Sequence, residues 1–154
     1  LLRQPSSFSP LAELTSGGFR TVLDDSGASD PAAVTRVLFC SGKVFYDLAA
    51  GREERKDGGT AILRLEQLHP FPDEALRAIL AHFGAARDFA WVQEEARNMG
   101  AWTFVRERLA DLLPLGATLR YAGRAPSASP ATGNATVHKR ELAAFIAEAF
   151  GAGN

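Results

Sequence analysis

Trp91-Val92-Gln93-Glu94-Glu95-Ala96-Arg97-Asn98-Met99-Gly100-Ala101-Trp102 is the stretch that decides the reading of this chain. An apolar, aromatic run leads into two adjacent carboxylates and then into a polar Asn-Met-Gly turn that opens an amphipathic segment. That order is a strand, a loop and a helix. In an open α/β sheet, ligands and partner domains gather at the loops after the strands' carboxyl ends. Glu94, Glu95 and Asn98 are therefore the first candidates for function.

Outward from this stretch the same alternation recurs. Before it, Arg36-Val37-Leu38-Phe39-Cys40 is a short buried-strand run, followed by Ser41-Gly42-Lys43 and a helical stretch with Val44, Phe45 and Leu48 on one face. Ala61-Ile62-Leu63-Arg64-Leu65 repeats the strand signal after a charged, Gly-rich turn. A second helix places Leu76, Ile79, Leu80 and Phe83 at i, i+3, i+4, i+7, with Pro72 suited to its first position, Asp73 and Glu74 complementing its amino end, His82 in its last turn and Gly84 as a stop. The strand of the opening stretch runs from Asp88 to Gln93, and the helix after it starts near Asn98 and carries Trp102, Val105, Leu109, Leu112 and Leu113. Thr118 to Tyr121 is the next strand, and a polar loop from Gly123 to Asn134 leads to a last helix that His138 begins. Its buried stripe is Leu142, Phe145, Ile146, Ala149 and Phe150.

Short connections between alternating strands and helices favour a mostly parallel sheet with helices on both faces, a three-layer α/β/α sandwich. Residues 36–151 form this body. Residues 1–35, rich in Ser, Pro, Gly and Asp, read as a linker or surface arm with turns at Ser6-Ser7-Phe8-Ser9-Pro10 and Asp24-Asp25-Ser26-Gly27. Phe19 to Leu23 is a candidate edge strand within that arm.

Composition narrows the function classes. A chain of 154 residues with 46% hydrophobic and 23% charged residues suits one globular domain. A formal charge of −1 supplies no cationic field for a phosphate backbone, which argues against nucleic acid as partner. The single cysteine, Cys40, excludes an internal disulfide and a cysteine zinc cluster, and a reducing cytoplasm or organelle matrix fits it best. No apolar run approaches the roughly 20 residues a membrane span needs. The start at Leu1 rather than methionine suggests a piece of a longer chain or a processed product.

Ser41-Gly42-Lys43 joins a strand to a helix amino end, where free N–H groups and the helix dipole favour an anion. The full Walker spacing and G-x-G-x-x-G are both absent, which favours a tight turn packed against another domain over a phosphate site. Glu94 and Glu95 suit acid–base or metal chemistry. Neighbours in an extended strand point to opposite faces, however, so a carboxylate that caps the next helix or pairs with Arg97 or another arginine is the plainer reading. Without a histidine at ligand spacing a metal site has little support. Of the histidines, His69 in a loop after a strand is a better functional candidate than His82, which the dipole favours at a helix end, while His138 follows a loop of small hydroxyl residues including Ser129. Arg120 and Arg124 suit a bidentate grip on a carboxylate or phosphate, with solvated surface charge as the alternative. No G-x-S-x-G elbow occurs and no histidine adjoins Cys40, so nucleophilic catalysis is not indicated.

Four blocks together carry a family resemblance. They are Val37 to Leu48, Arg64-Leu65-Glu66-Gln67-Leu68-His69-Pro70-Phe71-Pro72, Trp91 to Trp102, and Tyr121 to Gly133. In this order they closely resemble the carboxyl-terminal domain of 2-oxoglutarate dehydrogenase, the thiamine-diphosphate-dependent decarboxylating component of its complex, over essentially the whole chain. Leu1-Leu2-Arg3 is similar to the end of the segment joining the preceding domain in that family. The resemblance implies a transketolase-type carboxyl-terminal fold, with a mixed five-stranded sheet in which Phe19 to Leu23 is the one antiparallel strand. It implies a parent subunit of the citric acid cycle that decarboxylates 2-oxoglutarate and succinylates a lipoyl group of the dihydrolipoyl succinyltransferase component. Magnesium and thiamine diphosphate would be held between the upstream domains of that subunit. No G-D-G-x(n)-N element occurs here, so neither cofactor nor a catalytic residue is expected in this segment.

The implied role is that of a support and homodimer-packing domain, contacting the upstream domains of its own subunit, in a bacterial cytoplasm rather than a mitochondrial matrix. Ser41, Lys43, Gln67, Glu94, Glu95, Asn98, Arg124 and Ser129 are its candidates for interface or anion contacts. Some actinobacterial relatives carry an allosteric acyl-CoA site built from a Lys, a Ser, the Gln of the Glu-Gln-Leu block and an arginine pair. The matching positions here are Gly18, Thr21, Gln67, and Glu74 with Ala75. An acid and a methyl in place of two cations predict that this regulation is absent or weak. The competing classes are a stand-alone nucleotide- or acyl-CoA-binding regulatory module that uses Ser41 to Lys43, and a dimerisation domain without any ligand.

Overall fold

The sheet is assembled from short runs whose side chains alternate between two cores. A computed structural model describes residues 7–25 and 30–151. The Leu1-Leu2-Arg3 opening, Ser6 of the first proposed turn and Ser26-Gly27 of the second lie outside the described residues. The strands are β1 (Val22–Leu23), β2 (Arg36–Cys40), β3 (Thr60–Leu65), β4 (Asp88–Ala96) and β5 (Thr118–Arg124), in the spatial order β1-β3-β2-β4-β5. β2, β3, β4 and β5 pair in parallel, and β1 pairs antiparallel with β3 through Val22–Leu65 and Leu23–Arg64. The odd strand therefore lies inside the expected Phe19 to Leu23 segment and is only two residues long.

Period-two alternation sends Val37, Phe39, Ala61, Leu63, Phe89 and Trp91 into one core, and Leu38, Cys40, Ile62, Ala90 and Val92 into the other. The helices are α1 (Leu11–Thr15), α2 (Val44–Arg55), α3 (Asp73–Leu80), α4 (Trp102–Ala110) and α5 (Ala135–Ala149). Leu76 of α3 and Trp102, Val105 and Leu109 of α4 close the first core, while Val44 and Leu48 of α2 and Phe145, Ile146 and Ala149 of α5 close the second. This is the three-layer α/β/α sandwich. α2 and α5 cross closely at Gly51, where an added Cβ would lie 3.0 Å from Ile146 Cγ2.

Several boundaries differ from the sequence reading. β4 continues past Gln93 to Ala96, so Glu94 and Glu95 belong to the strand rather than to the loop. α4 begins at Trp102 rather than near Asn98, and no carboxylate side chain caps it. β5 runs on to Arg124 because it follows β4, so the polar loop starts after Arg124 and not at Gly123. α3 ends at Leu80 with Pro72 as its N-cap, which leaves His82 and Phe83 in the following turn. Leu112 and Leu113 likewise lie beyond the end of α4. α5 starts at Ala135 with the Asn134 side chain accepting from the N–H groups of Thr136 and Val137, and His138 lies within its first turn. The arm carries the short helix α1, which the Ser- and Pro-rich composition did not suggest.

At the sheet's amino end a charge clasp fixes α5. Asp88 lies between two guanidiniums, with Arg36 Nε at 2.5 Å and Arg120 Nε at 2.8 Å. The same arginines donate to the last carbonyls of the chain's final helical turn, Arg36 to Phe150 at 2.6 Å and Arg120 to Glu148 at 2.9 Å and Ala149 at 2.6 Å. Helix carbonyls without an intrahelical partner are thereby satisfied by cations, which the helix dipole also favours. Partial burial works against the Asp88 carboxylate, but Arg120 and Arg36 outweigh it and hold its pKa below the ordinary aspartate value. Arg120 is thus an internal strut rather than a surface charge. At the opposite edge Asp25 of the arm pairs with Arg52 and accepts from Ile62 N–H at 2.6 Å, tying the arm to β3.

Candidate functional site

β2 hands its chain to α2 on one face of the sheet while β4 hands its chain to α4 on the other. A crevice opens at the carboxyl ends of these two neighbouring strands, the position where open α/β sheets bind ligands. It encloses about 550 Å³ and is bounded by Ser41 to Lys43, Leu68 and His69, Trp91, Gln93 to Glu95, and Gly100, Ala101 and Phe104.

A bulge in β4 shapes the wall of the crevice. Gln93 faces Gly123 on β5, yet the next paired residue is Ala96, opposite Arg124. Glu94 and Glu95 are left over in the ladder, and the strict alternation that would send them to opposite faces is broken there. Both carboxylate residues line the same crevice as a result. Gly123 permits the close approach beneath the bulge, since a Cβ there would lie 2.8 Å from the Gln93 carbonyl. The Tyr121 hydroxyl spans the bulge, within 3.1 Å of both the Glu95 and the Arg124 carbonyl oxygens, and burial above all pushes its pKa up to about 12.

Gln93, 3% exposed, organises everything that follows. Its Oε1 accepts from Trp91 Nε1 at 2.8 Å and from the Trp102 N–H at 3.0 Å. Its Nε2 donates to the Met99 carbonyl at 2.8 Å and lies 3.2 Å from that of Ala96. One amide thus fastens the loop to β4 and to the start of α4. Gly100, at φ 63°, supplies the left-handed turn, and a Cβ there would press within 3.1 Å of the Gln93 amide. The sequence reading passed over Gln93. Its signal was present, because Gln93 lies two residues after Trp91 on one face, and a buried indole N–H requires an acceptor.

Electrostatically the crevice is acidic. Lys43 Nζ lies 2.7 Å from Glu94 Oε2 and 3.3 Å from Asp47 Oδ2. Partial burial opposes its charge, but hydrogen bonding to Glu94 and the nearby Asp47 prevail, so its pKa rises above the ordinary lysine value. The ammonium that would greet an anion at the α2 amino end is already held by carboxylates, and Glu95 adds a further negative charge.

Arg124 borders a smaller hollow of about 240 Å³ with Glu94, Glu95, Thr132 and His138. Its Nε donates to Glu141 Oε2 at 2.8 Å, and the Thr132 hydroxyl donates to the same oxygen at 2.8 Å. Thr132 first, then Arg124, lower the Glu141 pKa. Asn98 makes a reciprocal pair with Ser127, donating to its carbonyl at 3.0 Å and accepting from its N–H at 2.9 Å. Ser129 closes the same loop, its hydroxyl donating to the Ala131 carbonyl at 2.7 Å. Gln67 stands apart, donating to the Pro70 carbonyl at 2.8 Å, while its backbone N–H meets the Thr21 carbonyl at 3.1 Å. His69, joined to Pro70 by a cis peptide bond, reaches the crevice, and His82 does not. Among the described residues no group of three or more His, Cys, Asp or Glu side chains is arranged to hold a metal ion, and no helix is long and apolar enough to cross a membrane.

Residues 8–150 match the family described as 2-oxoglutarate dehydrogenase C-terminal. The chain is 43% identical over 150 residues to the 2-oxoglutarate dehydrogenase E1 component of Cupriavidus necator, a match that covers 97% of this chain and 16% of that protein. It is 42% identical over 156 residues to the mitochondrial 2-oxoglutarate dehydrogenase of Caenorhabditis elegans, covering 98% of this chain and 15% of that one. It is also 42% identical over 152 residues to a probable 2-oxoadipate dehydrogenase complex component E1 homolog of Dictyostelium discoideum, covering 97% and 17% respectively. The chain therefore spans about a sixth of the length of the relatives it matches.

Proposed function

Because this chain belongs to the 2-oxoglutarate dehydrogenase C-terminal family, we propose that it is the supporting and dimer-packing domain of a decarboxylating subunit and carries no catalytic residue itself. In this reading the parent converts 2-oxoglutarate to a succinyl group on the lipoyl carrier of a dihydrolipoyl succinyltransferase and releases carbon dioxide. Residues 1–35 are the arm that leads from the upstream domains, and residues 36–151 are the α/β body. Relatives include bacterial and mitochondrial proteins, and a bacterial cytoplasm is the location we favour.

The crevice carries the non-catalytic part of the proposal. Thiamine diphosphate and magnesium require a cradle for a diphosphate and hard oxygen ligands around the cation. The crevice presents Glu94 and Glu95 beside Lys43, which Glu94 and Asp47 of α2 already engage, an arrangement that repels a diphosphate, and among the described residues no group of three or more His, Cys, Asp or Glu side chains is arranged to hold the metal ion. The residues present thus do not fit the cofactor, and no step of the reaction is routed through them. The same arrangement disfavours a free-standing nucleotide or acyl-CoA module that grips phosphate at Ser41 to Lys43. Near-equal identity to relatives named for 2-oxoglutarate and for 2-oxoadipate is in keeping with a region that does not read the substrate. In this reading Lys43, Glu94, Glu95, Asn98, Arg124 and Ser129, at the rim of the crevice and its neighbouring loops, contact the upstream domains or a second subunit.

The decisive experiment compares the 154-residue chain with the intact parent subunit. Isothermal calorimetry with thiamine diphosphate and magnesium, and carbon dioxide release from 2-oxoglutarate, are expected to be silent for the former and positive for the latter. Turnover by the 154 residues alone would refute the proposal.

A further inference from the structure

The arm displays apolar side chains that the body does not use. α1 buries none of its residues. Leu11 and Leu14 are each 74% exposed and lie one turn apart on the same side of the helix, with Phe8, 60% exposed, just before them and Phe19, 73% exposed, just after. The Glu13–Arg20 ion pair, at 3.1 Å, folds the following segment back toward α1, but an exposed pair of this kind contributes little. A helix of five residues is far below the roughly 12–15 needed to persist in water by itself. Leu11 and Leu14 of this helix together with the flanking Phe8 and Phe19 expose an area on the order of 500 Å², at the upper end of what monomeric proteins leave bare.

We infer that Phe8 to Phe19 is a docking strap that seats against the polypeptide preceding this region in the same subunit, an inference that rests on the parent assignment made above. Area decides between the two occupants. A patch of this size falls short of the roughly 800 Å² per partner at which separate chains associate stably. A tethered neighbour meets it at an effective concentration near the millimolar range, so a small patch suffices. In the relatives about five-sixths of the chain lies outside the matched carboxyl-terminal region, and the arm is the end of this region that faces it. The segment that follows the strap is fixed to β3 and the turn after it, with Asp25 accepting from Ile62 N–H and the Thr21 carbonyl accepting from Glu66 and Gln67 N–H.

The test uses the intact parent subunit carrying Leu14→p-benzoylphenylalanine, prepared as a mixture of ¹⁴N- and ¹⁵N-labelled chains, irradiated and mapped by mass spectrometry. The expected crosslinks join the arm to upstream peptides of the same isotope. Mixed-isotope crosslinks would assign the surface to a second copy, and crosslinks confined to residues 36–151 or none at all would remove the strap; each overturns the inference. In a separate variant, Leu11→Ser with Leu14→Ser is expected to accelerate limited proteolysis in the arm, and an unchanged rate counts against docking. Decarboxylation by the unmodified subunit separates the two levels. An active subunit without upstream crosslinks overturns the strap alone, whereas one that crosslinks upstream but leaves 2-oxoglutarate untouched overturns the parent assignment.

Discussion

Replacing Gln93 by leucine tests the central piece of the architecture. In Gln93→Leu the Trp91 indole N–H and the Trp102 backbone N–H lose their shared acceptor, and the Met99 and Ala96 carbonyls lose their donor. A buried donor left without a partner costs about 1–3 kcal/mol. Two stranded donors therefore cost about 2–6 kcal/mol, and burying an extra apolar side chain returns about 1–2 kcal/mol of that. The net expectation is a loss of about 3 kcal/mol. For a domain of this size each kcal/mol lowers Tm by about 2–4 °C, so the midpoint should fall by about 6–12 °C. Urea unfolding followed by tryptophan fluorescence is well matched to the question, because the two tryptophans of the chain, Trp91 and Trp102, are the residues that Gln93 joins. The variant's native emission should also shift to the red as the loop loosens over the indoles. Gln93→Glu supplies a control: it keeps an acceptor for both N–H groups but turns a carboxylate oxygen toward the Met99 carbonyl, and should be no better tolerated than leucine. A loss below about 1 kcal/mol for Gln93→Leu, within the usual range of a surface change, would show that the amide does not organise the loop.

Three further outcomes follow from the packing and the charges. The Asp88 pKa is lowered in the folded protein, so its contribution is complete above the unfolded value of about 4 and is lost as pH falls through the lower folded value; acid unfolding curves should show this loss, and Asp88→Asn should flatten it while costing about 1–2 kcal/mol at pH 7. Gly51→Val adds atoms where a Cβ already meets Ile146 at 3.0 Å and should destabilise by about 1–3 kcal/mol in thermal melts, whereas a neutral result would mean that α2 and α5 do not pack as described. Cys40 is fully buried and its thiol is pushed far above the ordinary range, chiefly by burial, so a disulfide reagent such as Ellman's should label it only at the rate of unfolding; rapid labelling of the native protein would contradict that burial.

The fold was legible because three of the four body strands contain a short apolar run and each long helix keeps its stripe: Val37 to Cys40, Ala61 to Leu65 and Phe89 to Val92 announce themselves without partners. What was not legible depended on partners. The residues after Gln93 are charged, and nothing local to them reveals that β5 extends alongside as far as Arg124 or that two residues bulge from the ladder. The end of α3 is set by the turn through His82 and Phe83 and not by Gly84. Lys43 and Glu94 are distant in sequence, and only the adjacency of β2 and β4 brings them together. Arg120 and Arg124 were readable as anion grips because a guanidinium has this capacity wherever it stands. Asp88 and Glu141, which engage them, come from other elements.

In the supporting role proposed here, the position where open α/β sheets bind ligands serves as a wall, and the architecture of the crevice is suited to that. Loops that act on substrates tend to be the less stable parts of a fold, since they must open and close. Here the corresponding loop is fastened at both ends by one amide, turns at a glycine that a side chain would force against that amide, and is joined to the β5–α5 loop by the two hydrogen bonds between Asn98 and Ser127. Such a surface keeps its shape when a neighbour presses on it. Lys43 and Glu94 neutralise one another at the crevice rim, while Glu95 remains exposed. A mating domain would thus meet a fixed, mildly acidic edge around an apolar hollow formed by Leu68, Trp91, Ala101 and Phe104. Preorganisation of that kind lowers the ordering cost of association. A rigid, acidic edge of this kind agrees with the proposed contact with another part of the protein better than with the cycling of a small anionic substrate.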